Sequence, residues 1–340
     1  MRIKLTAGTN VGCVRTNNED NFITNIDLSR PDWLLPKDVS EVVSLSDEGC
    51  VLVVADGMGG LNAGEVASAI AVEHVKQEFL DANLKKIAKS DKEVEKFMGE
   101  IVLKADAAIK KRVAEDPETK GMGTTLIFAW VIGRKAYVTW CGDSRGYVFN
   151  PASGLRRITK DHSYVQELVD SGKLDAELAF DHPNSNIITR CLGDFKDKAN
   201  PDFNVITLKE GDRILLCSDG LCGVCRDEEI IETMKSFYED IEECKKELIN
   251  AALNAGGYDN VTVALMEVVE DDADADADLN NTCEISAKKR SRKNGISLKV
   301  IILLVVIVLV VILLLLKETE VMDKVCGTID QLSANDSINI

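Results

Sequence analysis

Two stretches decide the fold: Val51-Leu-Val-Val-Ala-Asp56-Gly57 and Ile214-Leu-Leu-Cys-Ser-Asp219-Gly220. Each runs apolar, then small, then Asp-Gly. An unbroken apolar run that stops at turn residues reads as a strand buried on both faces. A buried strand that ends in Asp delivers a carboxylate to the rim of its sheet. The Gly that follows has no Cβ, so its carbonyl can turn toward whatever the Asp binds. A third stretch is the mirror image: Gly256-Gly257-Tyr258-Asp259-Asn260 stands before the apolar run that starts at Val261. In an antiparallel sheet the end of one strand and the start of its neighbour share a rim, so Asp56, Asp219 and Asp259 are expected to converge. One Asp-Gly alone is a turn signal. Two copies after apolar runs, with a third Asp before another run, point to metal binding, because clustered carboxylates repel unless cations sit among them. Oxygen ligands with no nearby His or Cys imply a hard cation, Mg²⁺ or Mn²⁺.

Two more acidic positions join this set. Asp143, in Gly142-Asp143-Ser144-Arg145-Gly146, follows the apolar segment at 137–140. Near the start stands Arg15-Thr-Asn-Asn18-Glu19-Asp20. Arg15 offers a planar donor fork matched to phosphate oxygens. Asp20 is placed to reach the metals through water.

Around these points the apolar period alternates. Strands are predicted at 50–55, 124–131, 135–140, 213–217 and 261–268, with a hairpin turn at Ile132-Gly133. Helical spacing covers 63–80, 94–113, 163–171, 227–238 and 240–255. Hairpin-paired strands with helices in blocks between them favour an α+β layered domain over a doubly wound parallel sheet.

The chain has 340 residues, of which 45% are apolar and 29% charged, and a net charge of −17. That composition excludes wholesale disorder. The acidic balance and the 5% aromatic content exclude a nucleic-acid surface, which needs clustered cations and stacking rings. Ten scattered cysteines are too dilute for a disulfide scaffold. Cys222 and Cys225 are the one close pair, and no second pair or His pair completes a zinc site. Reduced thiols in a cytosolic domain are therefore expected.

The opening residues show no apolar leader. The last part of the chain differs. Residues 270–278 hold only Asp, Glu and Ala, six of the nine acidic, and read as a self-repelling tether. A basic cluster from Lys288 to Lys293 follows, and residues 300–316 are unbroken aliphatic sequence. As a helix this run covers roughly 26 Å, and Ile296 and Leu298 extend it, which is enough to cross a bilayer core. The basic cluster precedes the run, so the positive-inside rule places the preceding domain in the cytoplasm and the tail outside. The expected organisation is a catalytic domain at 1–269, an acidic then basic linker at 270–295, a transmembrane helix at 296–317 and an extracytoplasmic tail at 318–340. The expected location is the cell (inner) membrane, crossed once.

Seven segments in register resemble the metal-dependent protein phosphatases of the protein phosphatase 2C (PPM) family, in its bacterial-style branch. They are Arg15-Thr-Asn-Asn-Glu-Asp20, Val54-Ala-Asp56-Gly-Met-Gly-Gly60, Gly121-Met-Gly-Thr-Thr125, Gly142-Asp-Ser-Arg145, Thr159-Lys-Asp-His-Ser163, Leu216-Cys-Ser-Asp219-Gly-Leu221 and Gly257-Tyr-Asp-Asn260. The resemblance implies a four-layer α-β-β-α sandwich of two antiparallel sheets flanked by helices. It implies a binuclear Mn²⁺/Mg²⁺ centre at one end. Asp56 matches the bridging carboxylate and Gly57 the residue that offers its carbonyl. Asp219 and Asp259 match ligands of the other half of the site, and Asp20 a position acting through water. Asp143 matches a residue linked to a third, weaker metal. Arg15 matches the phosphate-binding arginine, and 161–198 a variable flap.

The implied activity is hydrolysis of phosphoserine and phosphothreonine on proteins by a metal-activated water, with Arg15, Asp20 and Asp143 as the catalytic set. The implied partners are phosphoproteins, a Ser/Thr protein kinase whose work is reversed, and the bilayer. A metal-dependent hydrolase of small phosphoesters or nucleotides is the alternative, and a catalytically silent phosphoprotein sensor a weaker one. Some members carry a His where this chain has Met58, so the proton donor to the leaving group is left open. His74, mid-helix, is expected to pack; His162 and His182 lie at or in the flap.

Overall fold

The computed structural model describes residues 1–31, 33, 41–59, 63–193 and 198–270. The acidic run from 271 onward, the basic cluster, the aliphatic run and the tail lie outside the described residues. Among those described, no helix is long and apolar enough to cross a membrane.

Twelve strands are described: β1 (Arg2–Asn10), β2 (Asp20–Asn25), β3 (Val43–Ser44), β4 (Cys50–Met58), β5 (Gly123–Thr124), β6 (Leu126–Ile132), β7 (Lys135–Cys141), β8 (Arg145–Asn150), β9 (Gly154–Arg157), β10 (Asp202–Thr207), β11 (Arg213–Cys217) and β12 (Val261–Glu270). The helices among the described residues are α1 (Gly64–Asp81), α2 (Leu84–Ile87), α3 (Asp91–Glu115), α4 (Tyr164–Asp170), α5 (Asp219–Cys222), α6 (Asp227–Ser236) and α7 (Ile241–Asn254). One sheet has the order β3-β1-β12-β11-β8-β9. The other has the order β10-β7-β6-β4-β2, with β5 paired to β4. Every pairing is antiparallel.

The period of two explains the layers. In β4, Cys50, Leu52 and Val54 enter the core between the sheets, with Leu5, Ile127, Ile214 and Met266. The alternate residues Val51, Val53 and Ala55 face α1 and α3. In β11, Ile214 and Leu216 face the opposite sheet, while Leu215 and Cys217 pack in the cluster with α6 and α7. Both strands lack an exposed face, which is why both read as apolar runs. The result is the expected α-β-β-α sandwich.

The expected strands and helices all form. Differences are local. The hairpin between β6 and β7 turns on Gly133-Arg134, because Ile132 still pairs with Lys135. Gly133 takes φ 55°, a left-handed value suited to glycine. The domain's last strand reaches Glu270, one residue past the expected boundary, where Glu270 bonds Arg2 at 2.9 Å. Strands β1, β2, β3, β8, β9 and β10 do not stand out by periodicity: β1, β2 and β8 place polar residues at buried positions, and β3, β9 and β10 are largely half-buried. Buried polarity is most extreme at Arg213 of β11. Its side chain is fully buried, paired with Glu267 at 2.7 Å, donating to the carbonyls of Phe237 and Tyr238, and lying over the Tyr238 ring.

Trp130 anchors the core beneath α1 and α3. It is fully buried, edge-on to Phe79 at 5.2 Å and to Phe97 at 5.9 Å, and its Nε1–H donates to the Glu48 carbonyl at 2.8 Å. Trp130→Ala is expected to cost about 3–5 kcal/mol. Urea unfolding checks this, and a loss below about 1 kcal/mol would show that the cluster does not depend on the indole.

Candidate metal centre

Five carboxylates come to one end of the sandwich from both sheets. Asp20 opens β2 and stands directly opposite Asp56 of β4 in the register. The Asp56 backbone is held on both sides: its N–H donates to Thr125 Oγ1 at 3.0 Å, and its carbonyl accepts Thr125 N–H and Thr124 Oγ1, each at 2.8 Å. Asp143 sits in the short β7–β8 connection after Gly142, whose φ of 126° and lack of a Cβ are both needed, since a Cβ there would lie 2.6 Å from Thr125. Asp219 opens α5 directly after β11, and Asp259 precedes β12. The expectation that Asp219 ends a strand is corrected by two residues: β11 stops at Cys217 and Ser218 turns the chain into the helix. Gly57 is closed in by backbone, with an added Cβ only 2.2 Å from the Gly64 carbonyl oxygen, so no other residue fits there.

The electrostatics show that these groups sense one another. Burial, reinforced by the charges of Asp20, Asp219 and Asp143, holds the Asp56 carboxyl far above the usual carboxylate range. Burial does the same for Asp143, with Asp219 and Asp161 adding to it. Asp219 is also raised, by burial first and by Asp259 among the charges, while Asp56, Arg15 and Arg145 oppose the rise. Asp20 is pushed up to about 7 by burial and by Asp219 and Asp259, although Thr262 and Ser218 hydroxyls oppose the shift. The set therefore cannot be fully ionised near neutral pH on its own.

Three oxygens identify what the cluster suits. Asp20 Oδ1, Asp143 Oδ1 and Asp219 Oδ1 are buried and have no hydrogen-bond partner among the described residues. Buried acceptors without donors are costly, and a divalent cation satisfies them. No three His, Cys, Asp or Glu side chains among the described residues already surround a single point. The donor set of carboxylates, with no imidazole or thiolate, fits Mg²⁺ or Mn²⁺.

A buried polar frame holds the cluster. Asp20 Oδ2 accepts from Ser218 Oγ and from Thr262 Oγ1, both at 2.7 Å. Asn260 accepts the Glu19 N–H at 2.7 Å and donates to the carbonyls of Val11 and Asn17, each at 2.9 Å. It thus clamps the 11–19 loop to the start of β12. None of Ser218, Thr262 and Asn260 was singled out from sequence. The available signal was a lone polar residue in an apolar run, Thr262, and the small residue ahead of Asp219.

Arg15 lies at the rim, half exposed, where it pairs with Asp259 at 2.8 Å. His162 is buried, its Nδ1 accepting the Gly142 N–H at 3.1 Å and its Nε2 beside Asp202 and Arg190, each at 3.3 Å. Through its Nδ1 it supports the Asp143 turn. His182 Nδ1 accepts the Asn184 N–H within the flap, and His74 bonds its own helix as expected. No disulfide joins the described cysteines to one another. A cleft of about 460 Å³ borders the cluster at Asp143, Asp219 and Asp259, and runs between the flap and the start of α6.

Such a sandwich, with a carboxylate cluster at one end, defines a metal-dependent phosphatase class. The chain belongs to the protein phosphatase 2C family: the model of that family, "Protein phosphatase 2C", matches residues 31–261. It is 34% identical over 266 residues to protein phosphatase PhpP of Streptococcus pneumoniae, covering 78% of this chain and 98% of that one. It is 34% identical over 273 residues to the serine/threonine protein phosphatase PstP of Mycobacterium tuberculosis, covering 79% of this chain. The chain spans about half, 46%, of that relative's length. The solved catalytic domain of PstP in complex with two manganese ions superposes with a TM-score of 0.62 at 32% identity, over 79% of this chain and 99% of that one.

Linkage gives a prediction for the metal-free protein. An unfolded Asp titrates near 3.9, whereas folded Asp20 titrates at about 7. Folding favours the protonated form, so its stabilising contribution is lost as pH rises toward 7. In EDTA the Tm should fall between pH 5.5 and pH 7.5, and saturating Mn²⁺ should raise Tm more at pH 7.5 than at pH 5.5. Differential scanning calorimetry checks this; a Mn²⁺ shift larger at pH 5.5 would contradict the carboxylate assignment.

Proposed function

We propose that the protein is a metal-dependent protein serine/threonine phosphatase that hydrolyses phosphoserine and phosphothreonine on proteins, and that residues 296–317 anchor it in a membrane with the catalytic domain on the cytoplasmic side. The observation that carries the activity is the set of buried, unpartnered oxygens on Asp20, Asp143 and Asp219 beside a cleft open to a polypeptide. Family membership and relatives named as serine/threonine phosphatases support it. The anchor is supported by the aliphatic run and the basic cluster before it.

In this reading Asp56, Asp219, Asp259 and the Gly57 carbonyl hold two divalent cations, Asp20 contributes through water, and Asp143 serves a third, weaker ion. When bound, such ions supply an activated water and neutralise phosphoryl charge. The chain's own residues do the rest. Arg15 leaves Asp259 and lays its fork against two phosphoryl oxygens, an exchange of one anionic partner for another at the same rim. Ser218 and Thr262 keep Asp20 Oδ2 occupied, so that Oδ1 alone faces the site. Thr125 and Thr124 fix the Asp56 backbone. Asn260 fixes the loop that carries Arg15. No cysteine or serine nucleophile is required. The proposed opposing partner is a Ser/Thr kinase.

Asp219→Ala is expected to lower Mn²⁺-dependent release of phosphate from a phosphothreonine peptide by at least about 100-fold. Arg15→Lys should raise KM more than it lowers kcat, because an ammonium cannot hold two oxygens at once. Malachite-green assays on the full chain check both, and unchanged turnover in Asp219→Ala or in excess EDTA would reject the reading. For the anchor, the full chain should resist alkaline carbonate extraction from membranes; release into the soluble fraction would reject it.

A further inference from the structure

The cleft beside the metal centre carries charge and shape that bear on which phosphoproteins enter it. Three arginines line it, and each is already claimed. Arg145 and Arg157 both pair with Asp161, the first at 2.8 Å. Arg226 pairs with Asp181 at 2.6 Å and lies 4.3 Å above the Phe180 ring. This last contact ties the flap to the start of α6 and so sets the width of the cleft. The carboxylates are not all claimed. Asp227 accepts the Tyr147 hydroxyl at 3.0 Å. Glu177 on the flap and Glu228 on α6 line the same cleft, are exposed, and have no ion-pair partner among the described residues. Away from the metal centre the cleft is thus acidic from both of its walls.

At its inner edge stands Tyr258, next to Asp259 and 64% exposed. The Tyr258 ring is held in place by its own loop. Gly256 has φ 125°, and a Cβ there would lie 2.4 Å from the Tyr258 ring, so the ring rests on the glycine backbone. The loop presents a ring face that costs little conformational entropy to use. A ring face in a cleft that also holds unpaired carboxylates suits a cationic side chain, through cation–π contact and charge together.

We propose that this cleft selects phosphoprotein segments with basic residues beside the phosphoserine or phosphothreonine, Tyr258 receiving one basic side chain on its ring and Glu177 and Glu228 holding its neighbours. The proposal rests on the phosphatase reading above and names the substrate class of that same site. Charge complementarity fixes the occupant: a segment acidic around its phosphate would meet unpaired carboxylates on both walls.

Three phosphothreonine peptides, with two arginines, two alanines or two glutamates beside the phosphoresidue, are compared on the full Mn²⁺-loaded chain, with a small aryl phosphate alongside. kcat/KM should fall in that order, by about tenfold or more from arginine to glutamate at low salt, mostly in KM, and the spread should narrow as salt rises. Glu177→Gln combined with Glu228→Gln should shrink the arginine-to-glutamate ratio at least threefold. Tyr258→Ala should weaken the arginine peptide more than the glutamate peptide. Because the readout is a ratio between peptides, any loss common to all of them cancels. Equal or inverted preference in the parent chain, or a ratio unmoved in the double variant, overturns the proposal and leaves the phosphatase reading intact. Turnover of the aryl phosphate with none of any peptide overturns the phosphatase reading, and this proposal with it.

Discussion

The cost of gathering carboxylates in a desolvated corner governs the rest of this molecule. Asp20, Asp56, Asp143 and Asp219 each have their acidity suppressed, first by burial and then by neighbouring carboxylates of the cluster, Asp259 included. A fold has no reason to pay for that arrangement unless something cationic returns the energy, and the partnerless oxygens say where that charge belongs. The sandwich is the means. Both of its sheets bring strand ends to the same edge, so Asp20 on β2 and Asp259, two residues ahead of β12, meet although they are nearly 240 positions apart in sequence.

The polar frame around the cluster has a direction. Asn18 Nδ2 donates to Thr9 Oγ1, Thr9 and Thr262 hydroxyls are bonded at 2.8 Å, and Thr262 Oγ1 donates to Asp20. Ser218 Oγ accepts the Thr262 N–H at 2.9 Å and gives its own proton to Asp20. Donors therefore point at Asp20 from two sides, which favours its carboxylate over its acid and works against the burial that raises it. Asn260 performs the matching task for the backbone, taking up carbonyls of the 11–19 loop that no strand partner reaches.

Much of this was legible in the sequence, for a physical reason. Strands buried on both faces, β4 and β11, announce themselves as apolar runs, and the carboxylate that closes each run stands out against them, although β4 continues past Asp56 to Met58 and Asp219 follows β11 by two residues. Of the helices, α1, α3, α4, α6 and α7 were legible from their apolar spacing, whereas the single turns α2 and α5 are too short to show a period. What escaped reading was buried polarity. β1 and β2 include Thr6, Thr24 and Asn25 at buried positions, and β11 begins with a wholly buried arginine. Periodicity counts such residues as surface, although their partners, Glu242 for Thr6 and Glu267 for Arg213, lie 236 and 54 residues away. Ser218, Thr262 and Asn260 escaped for the same reason: a hydroxyl or amide becomes informative only when its partner is known. The hairpin shift by one residue shows the limit of turn chemistry, since glycine marked the turn but the pairing of Ile132 with Lys135 set its phase.

The centre and its entrance are built to different tolerances. Every carboxylate of the cluster stands on, or within two residues of, a sheet strand, and glycines such as Gly57 and Gly142 permit no side chain at all. The flap, by contrast, is joined to the sandwich by the single bridge of Thr124 with Leu192 and by side-chain pairs such as Arg226 with Asp181. Exposed ion pairs contribute little to stability, so the flap can change its residues without disturbing the core. Chemistry is therefore held where the backbone is over-determined, and selectivity where it is not. A wall that costs the fold little to vary is the place where one phosphatase scaffold can be fitted to a particular class of phosphoprotein.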